Sequence, residues 1–219
     1  MRDKKFIYAG PSWAKKSYDN VDVSETNLLK LWKLEDSAID ISRRGNTFNN
    51  SYNDLIYNSD LPVIYITCEP LADIPDSEIC DIKDVMKFRK NIHENHMNIL
   101  RNIKNLVAII GAHTDVSYDD VSNSNNRIID LSWQNFLLRK ANIPERYNFG
   151  ADIIHTAWHA NDCKIKDQSI LEKIQSQFEV WDRLQQEGLM YGPHPTRKGN
   201  ELYAEYTYDK VKEFINDNA

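Results

Sequence analysis

The sequence predicts an α/β fold, a parallel sheet with helices on both faces in three layers, and three observations lead there. Short apolar runs alternate along the chain with stretches of helical period, the alternation expected of strands joined by crossover helices. The runs close at glycines or polar turn formers, and the most apolar of them, Leu106 to Ile110, is continuous rather than alternating, as strands buried on both faces are. The chain has 219 residues, 41% hydrophobic and 27% charged, enough to bury one sizeable core, so a single domain over residues 1–219 is expected.

The elements follow in order. Phe6 to Ala9 reads as a first strand that ends at Gly10 in a tight turn. Thr26 to Leu34 places Leu28, Leu31 and Trp32 at helical spacing. Ser37 to Ile41 is a short second strand that runs into the polar segment from Arg43 to Asn50, and a helical run follows from about Ser51 to Tyr57. Leu61 to Thr67 is the third strand, and Ile82 to Ile103 is a long helix with Val85, Phe88, Ile92, Met97 and Ile103 at three- and four-residue steps. Leu106 to Ile110 is the fourth strand, closed by Gly111. Ser117 to Asn126 is polar and rich in turn formers, an exposed loop. Helical runs then cover Trp133 to Ala141, Gln168 to Glu187 with Gly188 as its C-terminal stop, and Gly199 to Asn216.

Composition excludes several functions. The net charge of −6 argues against a general nucleic-acid binder, whose affinity comes mainly from Lys and Arg on phosphates. No run reaches the length of a membrane span, and the apolar run after Met1 is too short for a signal-peptide core, so the expected location is the cytoplasm. Cys68, Cys80 and Cys163 have no CxxC spacing and are odd in number, which fits reduced packing residues better than a disulfide framework or a zinc site. Neither GxxxxGK[ST] nor GxGxxG occurs, so the nucleotide-binding readings of an α/β pattern lack their anchor and no cofactor is expected. The abundance of Asn, Ile and Lys is the usage of an AT-rich genome, viral genomes among them.

Two segments far apart carry the chemistry: Gly10-Pro11-Ser12-Trp13-Ala14 and Gly192-Pro193-His194-Pro195-Thr196. The first resembles the GDS block that follows the first strand of SGNH hydrolases, and the second resembles that family's closing block, in which a His-Pro pair precedes the last helix. The resemblance implies the family's flavodoxin-like α/β/α fold, a nucleophile at Ser12 and a general base at His194. It also implies a glycine after the second strand, matched by Gly45 with Asn46 beside it, and an asparagine after the third strand, where this chain has Glu69.

Elementary chemistry asks for the same residue types. A serine hydroxyl is a weak nucleophile until an imidazole accepts its proton. A strand-to-helix turn exposes it at the carboxyl edge of a parallel sheet, with backbone N–H groups directed at a developing oxyanion. Ser12 and Gly45 would supply those N–H groups, and the prolines on either side of His194 restrict its backbone. Taken alone, Ser12 reads as a helix cap and His194 as a surface loop residue; their joint placement favours the functional reading.

Three departures keep a second reading open. Tyr191 stands where the family has the Asp that orients the histidine, a loss that reduces kcat by about 10⁴ in the serine-protease template. Asp152 is the alternative carboxylate. Glu69 would repel an oxyanion unless it is protonated, paired with Arg43 or Arg44, or turned away. Pro11 replaces the Asp of GDS and bears on turn geometry. The chain therefore reads either as a divergent serine esterase, acting on a small-molecule or carbohydrate O-acyl ester, or as an inactive SGNH-like domain that binds a ligand or protein. His113 and Asp115 follow the fourth strand and are further site-lining candidates. His155 and His159 are spaced as in zinc helices but lack the glutamate of HExxH and read as packing residues. His93 and His96 read as a solvated helix face. Five tryptophans and eleven tyrosines are mostly core, with a sugar-binding rim as the other use.

Overall fold

The computed structural model describes residues 5–10, 27–42, 60–67, 105–109, 127–129, 133–144, 168–191 and 194–218, together with 91, 94, 95, 97, 98 and 100–103. Five strands form one parallel sheet: β1 (Phe6–Ala9), β2 (Ala38–Asp40), β3 (Val63–Ile66), β4 (Leu106–Ile109) and β5 (Arg127–Ile129), in the order β2-β1-β3-β4-β5. Every neighbouring pair is parallel. The order reverses at β1, where the chain steps to one side for β2 and to the other for β3.

That reversal dictates which face each helix covers. Crossovers between parallel strands are right-handed, so a step to the left and a step to the right must pass over opposite faces. Helix α1 (Leu28–Leu31), in the β1–β2 crossover, packs with Phe6, Tyr8, Ile64 and Ile66 on one face. Helical residues between 91 and 100, in the β3–β4 crossover, place Met97 and Leu100 against Ile7, Ala9, Val63, Tyr65 and Leu106 on the other. The sheet is thus covered on both faces, and strand residues alternate between two cores as the pleat requires. Since β1 and β3 are buried at every position, their sequences show no polar alternation.

Among the described residues, the first face carries most of the helix. Besides α1 it holds α2 (Trp133–Lys140), α3 (Gln168–Gln186) and the C-terminal α4 (Arg197–Asn218). Helix α4 packs against both α1 and α2 through Tyr203, Ala204, Thr207, Val211, Phe214 and Ile215, all buried at three- and four-residue steps. Trp32 Nε1 donates to the Ala204 carbonyl at 3.1 Å, and Tyr203 stacks on Trp133 with centroids 4.9 Å apart and planes 11° from parallel. Buried indole N–H groups usually find such a partner. No helix among the described residues is long and apolar enough to cross a membrane.

Three helices end in the same way. After α1, α2 and α3 the chain enters the left-handed region at Lys33 (φ 58°), Asn142 (φ 54°) and Gly188 (φ 67°). In each case the next residue's N–H reaches back five positions: Leu34 to Leu29, Ile143 to Leu138 and Leu189 to Leu184. The glycine stop expected at Gly188 is therefore present, while Lys33 and Asn142 do the same work without being glycine. At its other end α1 is capped by Asn27, whose Oδ1 accepts from Lys30 N at 3.0 Å.

Against the sequence reading, β1 has the expected bounds, β2 is shorter by two residues and β3 by three, while Ile110, the expected last residue of β4, lies outside the described residues. Two features were not foreseen. The strand β5 is only three residues long, beneath what periodicity resolves. A two-stranded antiparallel hairpin, β6 (Met190–Tyr191) with β7 (His194–Pro195), occupies the stretch between the helix stop at Gly188 and the last helix, where no element was expected. That helix begins at Arg197, two residues before the expected Gly199. The helical run expected at Ser51 to Tyr57 and the loop at Ser117 to Asn126 lie outside the described residues.

Candidate functional site

All the strands being parallel, their carboxyl ends share one edge. The register pairs Tyr8 with Asp40, Ala9 with Tyr65, and Ile66 with Ile109, so β2, β1, β3 and β4 end nearly level. With neighbouring strands about 4.8 Å apart, the four ends span roughly 15 Å. The reversal of strand order falls between β1 and β3, and in open α/β sheets ligands bind at such a switch point, outside the carboxyl ends.

The first steps beyond those ends are visible on three strands. Gly10 leaves β1 with φ 151°, a conformation open to glycine and rare for residues with a Cβ. Beyond β2, Asp40 Oδ1 accepts from Ser42 N at 2.9 Å and Ser42 Oγ at 2.5 Å, an Asx turn that redirects the chain just before Arg43. Beyond β3, Thr67 is buried. Ser12, Gly45, Asn46, Glu69, His113 and Asp115, with Arg43, Arg44 and Asp152, lie outside the described residues. In sequence Ser12 follows Ala9 by three positions, Glu69 follows Ile66 by three, Gly45 follows Asp40 by five and His113 follows Ile109 by four.

His194 and Tyr191 are described, and the hairpin places them side by side. The register sets Tyr191 opposite His194 and Met190 opposite Pro195. Residues directly opposite on antiparallel strands project to the same face, and successive residues to opposite faces. Met190 and Pro195 are buried, which fixes the inward face, so Tyr191 and His194 share the outward one. Tyr191 is 40% exposed, the one large apolar side chain exposed among the described residues. His194 is half-buried. His194 is thus a strand residue held by its partner.

The hairpin is fixed at both ends. Thr196 N donates to Leu189 O at 3.0 Å, extending the pairing, and Thr196 Oγ1 donates to Gly188 O at 2.6 Å. The same hydroxyl accepts from Gly199 N at 3.2 Å, the N-cap bond of α4. One threonine therefore joins the end of α3, the hairpin and the start of α4. Gly199 has a separate reason to be glycine: a Cβ there would lie 2.4 Å from the Leu189 carbonyl oxygen. Sequence reasoning missed this role and took the glycine for a helix boundary. Thr196 was the available signal only for the start of the helix, as its N-cap.

The chain matches no known protein-family model, no curated protein and no solved structure.

The direction of α4, the helix that His194 precedes, follows from the helix contacts. Helix α2 opens four residues after β5 closes, so its N-terminus lies at the carboxyl edge, and Leu137 and Leu138 carry it back over the sheet. Tyr203 stacks on Trp133, at the start of α2, and Tyr206 on Phe136, one turn further on, with centroids 5.1 Å apart. Helix α4 therefore runs in the same sense as α2. Its first residue, Arg197, lies six residues before Tyr203, about 9 Å nearer that edge. The hairpin that carries His194 immediately precedes that helix start in the chain.

A pocket of about 440 Å³ lies between α1 and α4, with Trp32, Ala204 and Tyr208 beside the acidic Glu201, Glu205 and Asp209. Neither His194 nor Tyr191 lines it.

Proposed function

We propose that the chain is a serine hydrolase of the SGNH type that cleaves an ester, with Ser12 as nucleophile and His194 as general base and then acid. The observation that carries the reading is topological. The strand order β2-β1-β3-β4-β5 is the flavodoxin-like order in which the switch point lies between β1 and β3, and the GPS and TCE segments are the ones that continue those two strands in sequence. The histidine segment, last in sequence, immediately precedes α4, as the family's closing block precedes its last helix.

In this reaction Ser12 Oγ attacks the ester carbonyl carbon while His194 takes its proton. The N–H groups of Ser12 and Gly45 donate to the oxyanion of the tetrahedral intermediate. As the C–O bond to the alcohol breaks, His194 returns the proton to the departing oxygen and an acyl-Ser12 remains. Water then attacks that acyl group, with His194 again the base, and releases the carboxylic acid. The cycle needs no cofactor. Small-molecule esters, O-acylated carbohydrates among them, are the proposed substrates.

A second reading, a binding domain of the same fold without the reaction, is favoured by Tyr191. It stands beside His194, where the family's pattern would bring a carboxylate to hold the imidazolium. A fluorophosphonate probe separates the two. The enzyme reading expects stoichiometric labelling of the wild-type chain, lost in Ser12→Ala and reduced by about 10³-fold in rate in His194→Ala. No labelling, or labelling unchanged in Ser12→Ala, overturns it.

A further inference from the structure

We propose that Tyr191 selects the alcohol half of the ester, favouring alcohols that present a flat apolar face; this rests on His194 being the acid and base of the reaction. The argument starts from the proton. His194 hands it to the leaving alkoxide, so the alcohol oxygen must come within hydrogen-bond reach of the imidazole, about 2.6–3.2 Å. The alcohol's carbon skeleton then lies against whatever borders the ring.

On the hairpin that border is Tyr191. The two residues are directly paired, which sets their Cβ atoms about 5 Å apart on one face. The opposite pair, Met190 and Pro195, is turned into the protein. Tyr191 is the one large apolar side chain exposed among the residues whose burial is described, at 40%. An aspartate here would be hydrated and would serve the imidazole alone. A phenol ring brings an apolar surface instead, with a hydroxyl at its far edge, and aromatic rings hold flat partners by offset or edge-to-face packing. The substitution that removes the orienting carboxylate thus adds a wall to the leaving-group side.

Benzyl acetate and ethyl acetate carry the same acyl group and differ only in the alcohol. The wild-type chain is expected to favour benzyl acetate in kcat/KM, and Tyr191→Ala to lower that preference by about fivefold, mostly through KM. Tyr191→Phe, which keeps the ring, should retain the preference. A preference unchanged in Tyr191→Ala overturns the proposal while leaving the hydrolase reading intact. A common fall for both esters does the same, because it would mean that Tyr191 acts on His194 and not on the alcohol. If the wild type cleaves neither ester, or Ser12→Ala cleaves both as well as the wild type, the hydrolase reading fails and the proposal with it. Circular dichroism of the exposed-site variants checks that the fold is kept.

Discussion

Gly188 and Gly199 stand eleven residues apart and need the absence of a side chain for different reasons. At Gly188 a Cβ would meet nothing within 4 Å, but φ is +67°, so an alanine there pays the left-handed penalty of about 1–2 kcal/mol. At Gly199 the obstacle is the backbone oxygen of Leu189, 2.4 Å from the added carbon. That oxygen accepts the Thr196 N–H that extends the hairpin, so it is not free to swing aside as a side chain would. Gly199→Ala is therefore expected to lose about 3 kcal/mol, the upper part of the overpacking range, and Gly188→Ala about half as much. Gly188→Asn should recover part of its loss, since asparagine tolerates the left-handed region, as Asn142 does after α2. Urea midpoints of the three variants check the ranking, and a Gly199→Ala no worse than Gly188→Ala would contradict the close approach. Both glycines were visible in the sequence. Only the first could be understood there, because a helix stop is local and an approach between α4 and Leu189 is not.

At the scale of elements, α4 is held to the sheet side by an aromatic column. Tyr203 stacks on Trp133 and meets Phe136 edge-on with centroids 5.3 Å apart, and both it and Trp133 are fully buried. Removing the ring by Tyr203→Ala is expected to lose about 3–5 kcal/mol. Tyr203→Phe keeps the stack and should lose no more than about 1.5 kcal/mol, the worth of a hydrogen bond. Thermal melts of the two variants distinguish packing from hydroxyl chemistry; equal losses would show that the stack contributes little. The contrast also explains which elements could be read in advance. Helices α2, α3 and α4 have long amphipathic periods, and β1, β3 and β4 are apolar runs with clear ends, so each was legible. The three-residue β5 and the two-residue strands β6 and β7 exist because of their partners, and nothing in their own sequence announces pairing. The candidate site suffered most from this: that Tyr191 stands beside His194 depends wholly on the register of β6 against β7.

At the scale of the molecule, the core on the first face of the sheet buries two tyrosines, Tyr8 and Tyr203, so completely that they tie stability to alkaline pH. Burial, and then the nearby Asp40 carboxylate, raises the Tyr8 phenol well above its ordinary value of 10.0. Burial, and then Tyr206, does the same to Tyr203. In each case the folded-state pKa lies above the unfolded one, so the neutral phenol's contribution is fully present below pH 10 and is lost as pH rises beyond it. Unfolding releases a proton there, and each group lowers the stability by about 1.4 kcal/mol for every further pH unit until its own folded-state pKa is reached. Two such groups together should make the alkaline limb about twice as steep as one. The expected result is cooperative unfolding above pH 10, with Tyr8 and Tyr203 ionising only as the chain unfolds, which tyrosinate absorbance and circular dichroism recorded together would reveal as coincident transitions. Tyr8→Phe and Tyr203→Phe should each flatten the limb, and the double variant should shift unfolding furthest toward high pH. A double variant that unfolds at the wild-type pH would mean that groups other than these two buried phenols set the alkaline limit.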